Sequence, residues 1–319
     1  MKKLLAIVLC LALFTLCFAG CGETADDGKY TVGICQLVTH DALDAATKGF
    51  KDALVEELGE DNVEFIEQNA ANNTDTCVTI VNDFVAKKVD LIMANATPAL
   101  QAAYNATEEI PILGTSVTEY GVALKIDNFK GVVGSNVSGT SDLAPLTEQA
   151  QMIIDLIPDA KTVGLLYSSG EANSAYQVKV VKEYLEGKGL TVKDFKFADS
   201  SDVAQVAEAA AAACDALYIP TDNTAASCAA TINNVVSPKK VPIIAGEAGI
   251  CKGCGIATLS ISYEQLGRVT GEMAAKILKG EAKIEEMAIE YDNAPVKKYN
   301  KAICEDLGIE IPEGYEALE

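Results

Sequence analysis

Few residues in this chain could carry out acid–base or phosphate chemistry. The 319 residues include one histidine, His40, and one arginine, Arg268. The sequence contains no G-x-S-x-G nucleophile turn, no G-x-x-x-x-G-K-[ST] phosphate loop, no G-x-G-x-x-G after its first predicted strand and no H-E-x-x-H zinc motif. Most catalytic schemes therefore lack their usual residues. We expect a protein that binds a ligand and is not an enzyme, with no catalytic residue and no cofactor.

Cys251 and Cys254 form a C-x-x-C motif, which is the spacing of redox pairs and of half of many zinc sites. A four-ligand zinc site needs further ligands, and His40 is the one histidine in the sequence. We therefore predict no metal site and interpret the motif as a glycine-rich turn with incidental cysteines. A redox or metal module that uses these two cysteines is the alternative from another functional class.

Seven cysteines follow Cys21, an odd number that cannot pair completely. Most lie in apolar or helical surroundings, where a free cysteine behaves as a small hydrophobic residue. We therefore expect free thiols, in an exported protein that works in a reducing or anaerobic setting. The seven are Cys35, Cys77, Cys214, Cys228, Cys251, Cys254 and Cys304.

The first 21 residues have the organisation of an export signal that ends at a cysteine. Two lysines near the start are followed by an almost wholly apolar run, residues 4–18, and two small residues precede Cys21. This run is shorter than the about 20 apolar residues that a membrane-spanning helix needs. We predict a signal peptide over 1–20 and a short tether over 21–29. Because residues 18–21 resemble the bacterial lipobox, we also predict a lipid-modified Cys21.

Composition and charge limit the classes of partner. The chain is 49% hydrophobic and 22% charged, which is typical of a globular protein, and at this length it is expected to divide into two domains. Aspartate and glutamate number 46 against 25 lysines and arginines, for a formal net charge of −21. No basic block could neutralise a run of phosphates, so nucleic acid is not expected as a partner. An anionic membrane would also repel the chain, so membrane association needs an anchor.

From residue 30 the sequence alternates β-branched apolar runs with segments of helical apolar spacing. This alternation predicts the α/β class with parallel sheets, and a second series of units begins after residue 139. The predicted strands are 31–38, 63–68, 91–94, 112–114, 131–136, 162–167, 191–197, 216–219, 242–245, 256–261 and 288–291. The predicted helices are 42–58, 74–87, 98–106, 141–157, 174–188, 203–213, 224–235 and 265–278.

Sheets of this kind bind ligands beyond the carboxyl ends of their strands, where loops meet the N-termini of helices. Polar clusters occupy six of these predicted loops, and their convergence predicts a binding cleft between two lobes. Several members are also ordinary helix caps, which is the alternative for any one of them taken alone. The six loops are 36–41, 95–98, 116–120, 168–174, 221–223 and 246–249.

Five ordered blocks at these loops resemble the substrate-binding lipoproteins of the ABC-transporter family that includes tryptophan- and tyrosine-import components. The similarity runs from about residue 30 to 290. The blocks are Ile34-Cys35-Gln36 with His40-Asp41-Ala42-Leu43-Asp44; Ala96-Thr97-Pro98-Ala99; Asn136-Val137-Ser138-Gly139-Thr140-Ser141-Asp142; Val163-Gly164-Leu165-Leu166-Tyr167 with Glu171-Ala172-Asn173-Ser174; and Ile219-Pro220-Thr221-Asp222-Asn223.

The resemblance implies a type I periplasmic-binding-protein fold, in which two doubly wound lobes joined by three crossovers close on an amino acid. It implies an N-terminal lobe over 30–138 plus 263–284 and a C-terminal lobe over 139–262 plus 285–319. The expected function is that of an extracytoplasmic, lipid-anchored, monomeric receptor, which delivers an amino acid with an aromatic side chain to an ABC permease and its ATPase. A ligand-sensing receptor of the same fold is an alternative.

The chemistry of an amino acid assigns roles to the loop residues. We expect the helix starts at Thr97 and Ser174 to hold its carboxylate, because N–H groups and hydroxyls favour anions. An ammonium group needs an anionic partner, for which Asp222 is the first candidate and Glu247 the second. The residues expected around the rest of the ligand are Gln36, His40 and Tyr120 in the side-chain pocket, Asn173 in closure of the lobes, and Thr118, Ser138, Glu171 and Asn223 as further contacts.

Overall fold

The structure is a computed structural model that describes residues 28–291 and 294–318. The predicted signal peptide, the lipid-modified Cys21 and most of the tether lie outside the described residues. Among the residues within those two ranges, none of the helices combines the length and apolar character needed to cross a membrane.

The first lobe is built on a parallel sheet of six strands in the order β11-β5-β4-β3-β1-β2. Its strands are β1 (Tyr30–Gln36), β2 (Val63–Asn69), β3 (Leu91–Asn95), β4 (Ile112–Val117), β5 (Val137–Ser141) and β11 (Glu290–Tyr291). Its helices are α1 (Asp41–Leu58), α2 (Thr74–Lys87), α3 (Thr97–Ala106), α4 (Tyr120–Leu124) and α11 (Tyr263–Leu278).

The second lobe is built on a sheet of seven strands in the order β13-β12-β10-β9-β8-β6-β7, in which β12 runs antiparallel to β10. Its strands are β6 (Thr162–Ser168), β7 (Thr191–Phe197), β8 (Ala216–Ile219), β9 (Ile243–Ala245), β10 (Ala257–Ser260), β12 (Val296–Tyr299) and β13 (Glu316–Ala317). Its helices are α5 (Leu146–Leu156), α6 (Ala172–Gly187), α7 (Val203–Ala213), α8 (Asn223–Ser227), α9 (Ala229–Val236), α10 (Ala248–Cys254) and α12 (Lys301–Leu307).

The chain passes between the sheets three times: from β5 to α5, from β10 to α11 and from β11 to β12. Sheet membership moves two of the expected lobe boundaries. β5 pairs with β4 through Ser141, so the first lobe extends beyond residue 138. β11 pairs with β5, so residues 290–291 belong to the first sheet and not to the C-terminal lobe.

Four local predictions differ from the structure. The strand expected over 131–136 is β5, which starts at Val137, because the preceding residues include Gly131 and Gly134 with positive φ. The helix expected from residue 141 begins at Leu146, since Ser141 still belongs to that strand. The segment with Cys251 and Cys254 is helix α10 and not a turn. The predicted helix over 224–235 is also divided, into α8 and α9.

Helices α1 and α11 of the first lobe pack so closely that three glycines at their contact leave no space for a Cβ atom. A Cβ atom on Gly267 would lie 2.0 Å from the carbonyl oxygen of Ala46, and one on Gly271 would lie 2.5 Å from that of Phe50. On the opposite helix, a Cβ on Gly49 would lie 2.1 Å from the carbonyl oxygen of Glu264. These glycines fix α11, and with it Tyr263 at its start, against the rest of the lobe.

Candidate functional site

The carboxyl ends of the two sheets border one mouth between the lobes. The His40 Nε2 atom of the first lobe lies 3.4 Å from Asn223 Oδ1 of the second. The Asn72 side-chain amide donates to Thr224 Oγ1 at 3.0 Å, and the Gln177 amide donates to Thr118 Oγ1 at 3.5 Å. The predicted loops therefore converge, with His40, Thr118 and Asn223 at the contact between lobes.

Asp222, the first candidate for the ammonium group, accepts three hydrogen bonds from groups of the chain. Its Oδ1 accepts from the Ala225 N–H at 2.8 Å, and its Oδ2 accepts from the Ser168 N–H and the Ser174 hydroxyl, both at 2.7 Å. Burial, together with the nearby carboxylate of Glu171, raises the pKa of Asp222. Asp222 is thus the N-cap of α8, and both of its carboxylate oxygens are bound by groups of the second lobe. The Ser174 hydroxyl is committed to the same cap.

Glu171 and Glu247 are also satisfied within the second lobe. The Glu171 carboxylate accepts hydrogen bonds from the backbone or side chains of Asn173, Asn223 and Thr224. Glu247 caps α10 by accepting from the Gly249 N–H at 2.6 Å and from the Ile250 N–H. Burial raises the pKa of Glu247, and the nearby His40 offsets part of this rise. Neither carboxylate has an oxygen left without a donor.

Among the buried carboxylates of the described residues, that of Asp142, at the crossover that follows β5, has an oxygen without a hydrogen-bond partner. Its side chain is 3% exposed. Oδ2 accepts a hydrogen bond from the Tyr263 hydroxyl at 2.9 Å, whereas Oδ1 has no partner. Burial raises the pKa of Asp142 to about 6, and the nearby hydroxyls of Thr118 and Tyr263 oppose this rise. A ligand cation at Oδ1 would supply the charge and the donor that the carboxylate lacks.

Five other buried side-chain polar atoms have no hydrogen-bond partner among the described residues, and three of them lie in the predicted binding loops: Asn95 Oδ1, Ser116 Oγ and Asn173 Oδ1. Buried polar atoms are normally hydrogen-bonded, so a group of unpartnered ones marks a place where a ligand supplies the missing contacts. Asn95 is the last residue of β3, Ser116 lies near the end of β4, and Asn173 lies in the first turn of α6. Three of the four atoms, including Asp142 Oδ1, are pure acceptors, which matches a ligand rich in N–H donors.

Helix α3 starts in this mouth without a side-chain cap. Its N-cap residue, Ala96, has φ 94° and ψ 157°, a backbone conformation that is essentially restricted to glycine. Pro98 has no N–H, and the N–H groups of Thr97 and Ala99 have no acceptor in the described part of the chain. An uncapped helix start favours a negative charge, so the position of Thr97 agrees with the carboxylate role predicted for it.

Three residues predicted to contact the ligand, two in the side-chain pocket and one as a further contact, make hydrogen bonds within the first lobe. Tyr120 is 1% exposed and donates from its hydroxyl to the carbonyl oxygens of Gly114 and Thr140, both at 3.0 Å, so it lies in the core of the first lobe. Ser138 donates to the carbonyl oxygen of Met287 at 3.2 Å, within the same lobe. The Gln36 amide is used completely, because it donates to Val38 and Asp44 and accepts from Thr47.

The sequence-based site missed Asn95, Ser116 and Asp142 as individual residues. The first two lie in loops that the sequence identifies as polar clusters, in which it favours the neighbouring residues Thr97 and Thr118. Asp142 was assigned to the first turn of a helix, because the strand before it was expected to end at residue 136. Its position after a parallel strand is the signal that a correct strand boundary would have given.

The cysteines beyond Cys21 are unpaired, and six of the seven are buried. Burial raises the pKa of the Cys251 and Cys254 thiols, and it raises that of Cys304 to about 11. Within residues 28–291 and 294–318, no three histidine, cysteine, aspartate or glutamate side chains are arranged to hold a metal ion. A nucleophilic thiol must be accessible and ionised, so α10 lacks the features of a redox site.

Of these seven thiols, we expect that of Cys228, which is partly exposed, to react at least tenfold faster than the others with iodoacetamide at pH 7.5. Burial should delay alkylation of Cys251 and Cys254 until the protein opens. Peptide mass spectrometry after timed quenching measures each rate, and urea-unfolded protein is the control that shows all seven to be reactive. Rapid alkylation of Cys251 or Cys254 in the native protein would contradict this and favour the redox alternative.

The family model described as ABC transporter substrate binding protein matches residues 31–317. The chain belongs to this family. A tyrosine-binding protein of Clostridioides difficile is 36% identical over 299 residues, which cover 88% of this chain and 85% of that protein. The family consists of substrate-binding proteins and not of enzymes. This confirms the expectation that the protein is not an enzyme, and it does not favour the redox or metal module.

Two solved structures extend the comparison. An ABC domain from Streptococcus pneumoniae, crystallised in complex with L-Trp, superposes with a TM-score of 0.86 at 33% identity, covering 91% of this chain and 100% of that one. A ligand-free, open substrate-binding protein with adhesive properties from Clostridium difficile gives 0.69 at 37% identity, covering 91% and 99%. The type I periplasmic-binding-protein fold, predicted as α/β with two parallel-sheet lobes, is confirmed.

Proposed function

We propose that this protein is an extracytoplasmic lipoprotein that captures an aromatic amino acid between its lobes and delivers it to an ABC permease and its ATPase. The unpartnered carboxylate oxygen of Asp142 is the observation that carries the ligand assignment. It offers a buried negative charge for an ammonium group, and the uncapped start of α3 at Thr97 offers N–H donors for a carboxylate. The relatives that bind tyrosine and L-Trp support an aromatic side chain.

The spacing of the two subsites suits the head group of an amino acid. Asp142 follows β5 and Thr97 follows β3, which lie on either side of β4 in the sheet. Neighbouring strands are about 4.8 Å apart, so the two strand ends lie roughly 10 Å apart along the sheet edge. This leaves room for a zwitterion with one hydrogen bond at each end. A sugar has no cation for Asp142, and its binding would leave that buried charge unpaired.

The arrangement of the lobes supports a clamp mechanism. The chain superposes better on the L-Trp complex than on the ligand-free, open structure, although its identity to the latter is higher. This difference, together with the hydrogen bonds across the mouth, is what a closed form predicts. Closure would remove the ligand from water and strengthen its contact with Asp142.

A panel of the 20 amino acids, with D-glucose and myo-inositol as controls, tests the ligand class by thermal shift. A ligand that binds only the native state adds about 2.7 kcal/mol at 100 times its Kd, or roughly 5 °C or more for a protein of this size. We expect the largest shift with tryptophan, tyrosine or phenylalanine. A shift with a sugar or an aliphatic amino acid and none with these three would contradict the assignment.

The lipid anchor at Cys21 is a separate part of the proposal, because this residue lies outside the described ones. We expect Cys21→Ala to abolish incorporation of labelled palmitate and to leave the precursor unprocessed or release soluble protein. Metabolic labelling of the wild type and the variant in a bacterial host measures this. Cys17→Ala, within the predicted signal peptide, is the matched control. Equal labelling of the wild type and Cys21→Ala would refute the anchor.

A further inference from the structure

The second lobe presents two consecutive residues to the first lobe across the mouth. Asn223 meets His40, with 3.4 Å between its Oδ1 and the His40 Nε2. Thr224 accepts a hydrogen bond on its Oγ1 from the Asn72 amide at 3.0 Å. These two contacts, which we term the latch, join residues more than 150 positions apart in the chain.

Both second-lobe members of the latch are oriented by one buried carboxylate, that of Glu171. Its Oε2 accepts from the Asn223 N–H at 3.0 Å and from the Asn223 Nδ2 at 2.7 Å. Its Oε1 accepts from the Thr224 N–H and from the Thr224 hydroxyl, both at 2.9 Å. Glu171 is itself 5% exposed and is held by the Asn173 amide at 3.1 Å.

This arrangement determines which atoms the latch can offer. Because the Asn223 Nδ2 is bound to Glu171, the Asn223 amide must turn its oxygen toward His40. Because the Thr224 hydroxyl hydrogen is donated to Glu171, the Thr224 oxygen presents its lone pairs to Asn72. Without the carboxylate, the Asn223 amide could turn over and the Thr224 hydroxyl could rotate, and both contacts would lose their fixed polarity.

We infer that Glu171 is a positioning residue for closure. It contacts no ligand and instead orients the side chains of Asn223 and Thr224, which contact the first lobe. This inference rests on the proposed function, because it assigns a role in the closing step of that binding site. Five donors already surround the Glu171 carboxylate, so a ligand has no free acceptor there. Glu171 therefore acts on how long the closed state lasts and not on how fast the open state meets its ligand.

Glu171→Gln tests the inference, because glutamine keeps the shape but replaces one acceptor oxygen with a donor that faces Asn223 or Thr224. L-tryptophan is the probe, since the protein itself contains no tryptophan and the ligand fluorescence has no background. We expect stopped-flow measurements to give a dissociation rate at least tenfold higher and an association rate within threefold of the wild type. An unchanged dissociation rate would overturn the inference, and so would a loss of affinity for L-tryptophan that comes from slower association.

Asn72→Ala separates action through the latch from direct contact with the ligand. If Glu171 acts through the latch, the double variant should dissociate no more than about threefold faster than Glu171→Gln alone, because the contact is already lost. If the dissociation rate of the double variant instead rises by the product of the two single fold-increases, the inference is overturned. Asp215→Asn is the matched control, since the Asp215 carboxylate also accepts hydrogen bonds from two N–H groups of the second lobe, those of Lys161 and Thr162. The ligand should dissociate from this variant at the same rate as from the wild type.

Failure of the proposed function is distinguishable in the same experiment. If L-tryptophan and L-tyrosine do not bind the wild type and D-glucose does, the ligand class is wrong. The rates are then measured with D-glucose through the tyrosine fluorescence of the protein, and the same criteria apply to Glu171. If none of the three probes binds, the distance between spin labels on the two lobes reports closure directly, and an equal closed fraction in wild type and Glu171→Gln would overturn the inference.

Discussion

Asp142→Asn is expected to weaken binding of the amino acid at least thirtyfold. Removing one partner of a desolvated charge pair typically costs about 2 to 5 kcal/mol, because the other charge stays buried and unpaired. Asparagine can still accept the Tyr263 hydrogen bond that Asp142 accepts at 2.9 Å, so the crossover should keep its shape. Calorimetric titration of the wild type and the variant, with L-tryptophan and L-tyrosine, measures the difference.

An analogue without the amino group identifies the cause of this loss. Indole-3-propionate lacks the ammonium group of tryptophan, so Asp142→Asn should change its affinity by less than about threefold. Asp222→Asn is the matched control in the second lobe, because the Asp222 carboxylate holds only groups of the protein. We expect Asp222→Asn to lower stability and, in the folded fraction, to keep the selectivity for tryptophan over the analogue. Loss of that selectivity in Asp222→Asn alone would place the ammonium group at Asp222.

The ligand-free Asp142→Asn variant should also be more stable than the wild type at pH 7. The pKa of Asp142 is raised from its ordinary value of 3.8 to about 6 in the folded protein, mainly by burial. The unfolded chain therefore ionises first as the pH rises, and the wild type loses up to about 3 kcal/mol of stability between pH 4 and 6. Asparagine avoids this loss. A higher melting temperature with weaker binding separates a lost ligand contact from misfolding.

Gly267→Ala is expected to destabilise the protein by about 3 kcal/mol or more, although alanine is the better helix former by about 1 kcal/mol. Its Cβ would lie 2.0 Å from the backbone oxygen of Ala46, and no side-chain rotation can relieve a contact with backbone. Helix α11 must therefore move away from α1. Because α11 starts at Tyr263, this movement also disturbs the residue that holds Asp142.

Urea unfolding and ligand titration together test this prediction. Gly187→Ala is the matched control, because a Cβ on this glycine at the end of α6 would meet nothing within 4 Å. We expect that control to be neutral or slightly stabilising and to bind like the wild type. If Gly267→Ala is as stable as the control, the close approach of α1 and α11 does not contribute to stability as argued.

Two aspartates that follow parallel strands show which features of the site can be predicted from the sequence and which cannot. Asp142 and Asp222 both follow a strand of their lobe, and their residue type and local composition do not separate them. They differ in that α8 begins directly after Asp222 and binds that carboxylate through the Ala225 N–H, beside the Ser168 and Ser174 donors, whereas α5 begins only at Leu146. The distance between a strand end and the next helix thus decides which carboxylate is free, and strand ends are what sequence patterns locate least well.

The class of the fold was accessible for a different reason. Apolar periodicity repeats over the whole chain, so an error of a few residues in one strand does not change the alternation of strands and helices. Tyr120 shows the opposite case. A polar loop position suggested a pocket residue, but Gly114 and Gly139 leave space for its ring inside the lobe, where the carbonyl oxygens of Gly114 and Thr140 bind its hydroxyl. That fit depends on side-chain packing between strands, which periodicity does not encode.

A crystal structure of the complex with the amino acid that gives the largest thermal shift tests the central claim most directly. The account predicts the ligand nitrogen within about 3 Å of Asp142 Oδ1 and the ligand carboxylate on the N–H groups of Thr97 and Ala99. Asp222, Glu171 and Glu247 should keep the hydrogen bonds within the chain described above. A ligand nitrogen bound by Asp222 or Glu247, with Asp142 Oδ1 still unpartnered, would contradict the account.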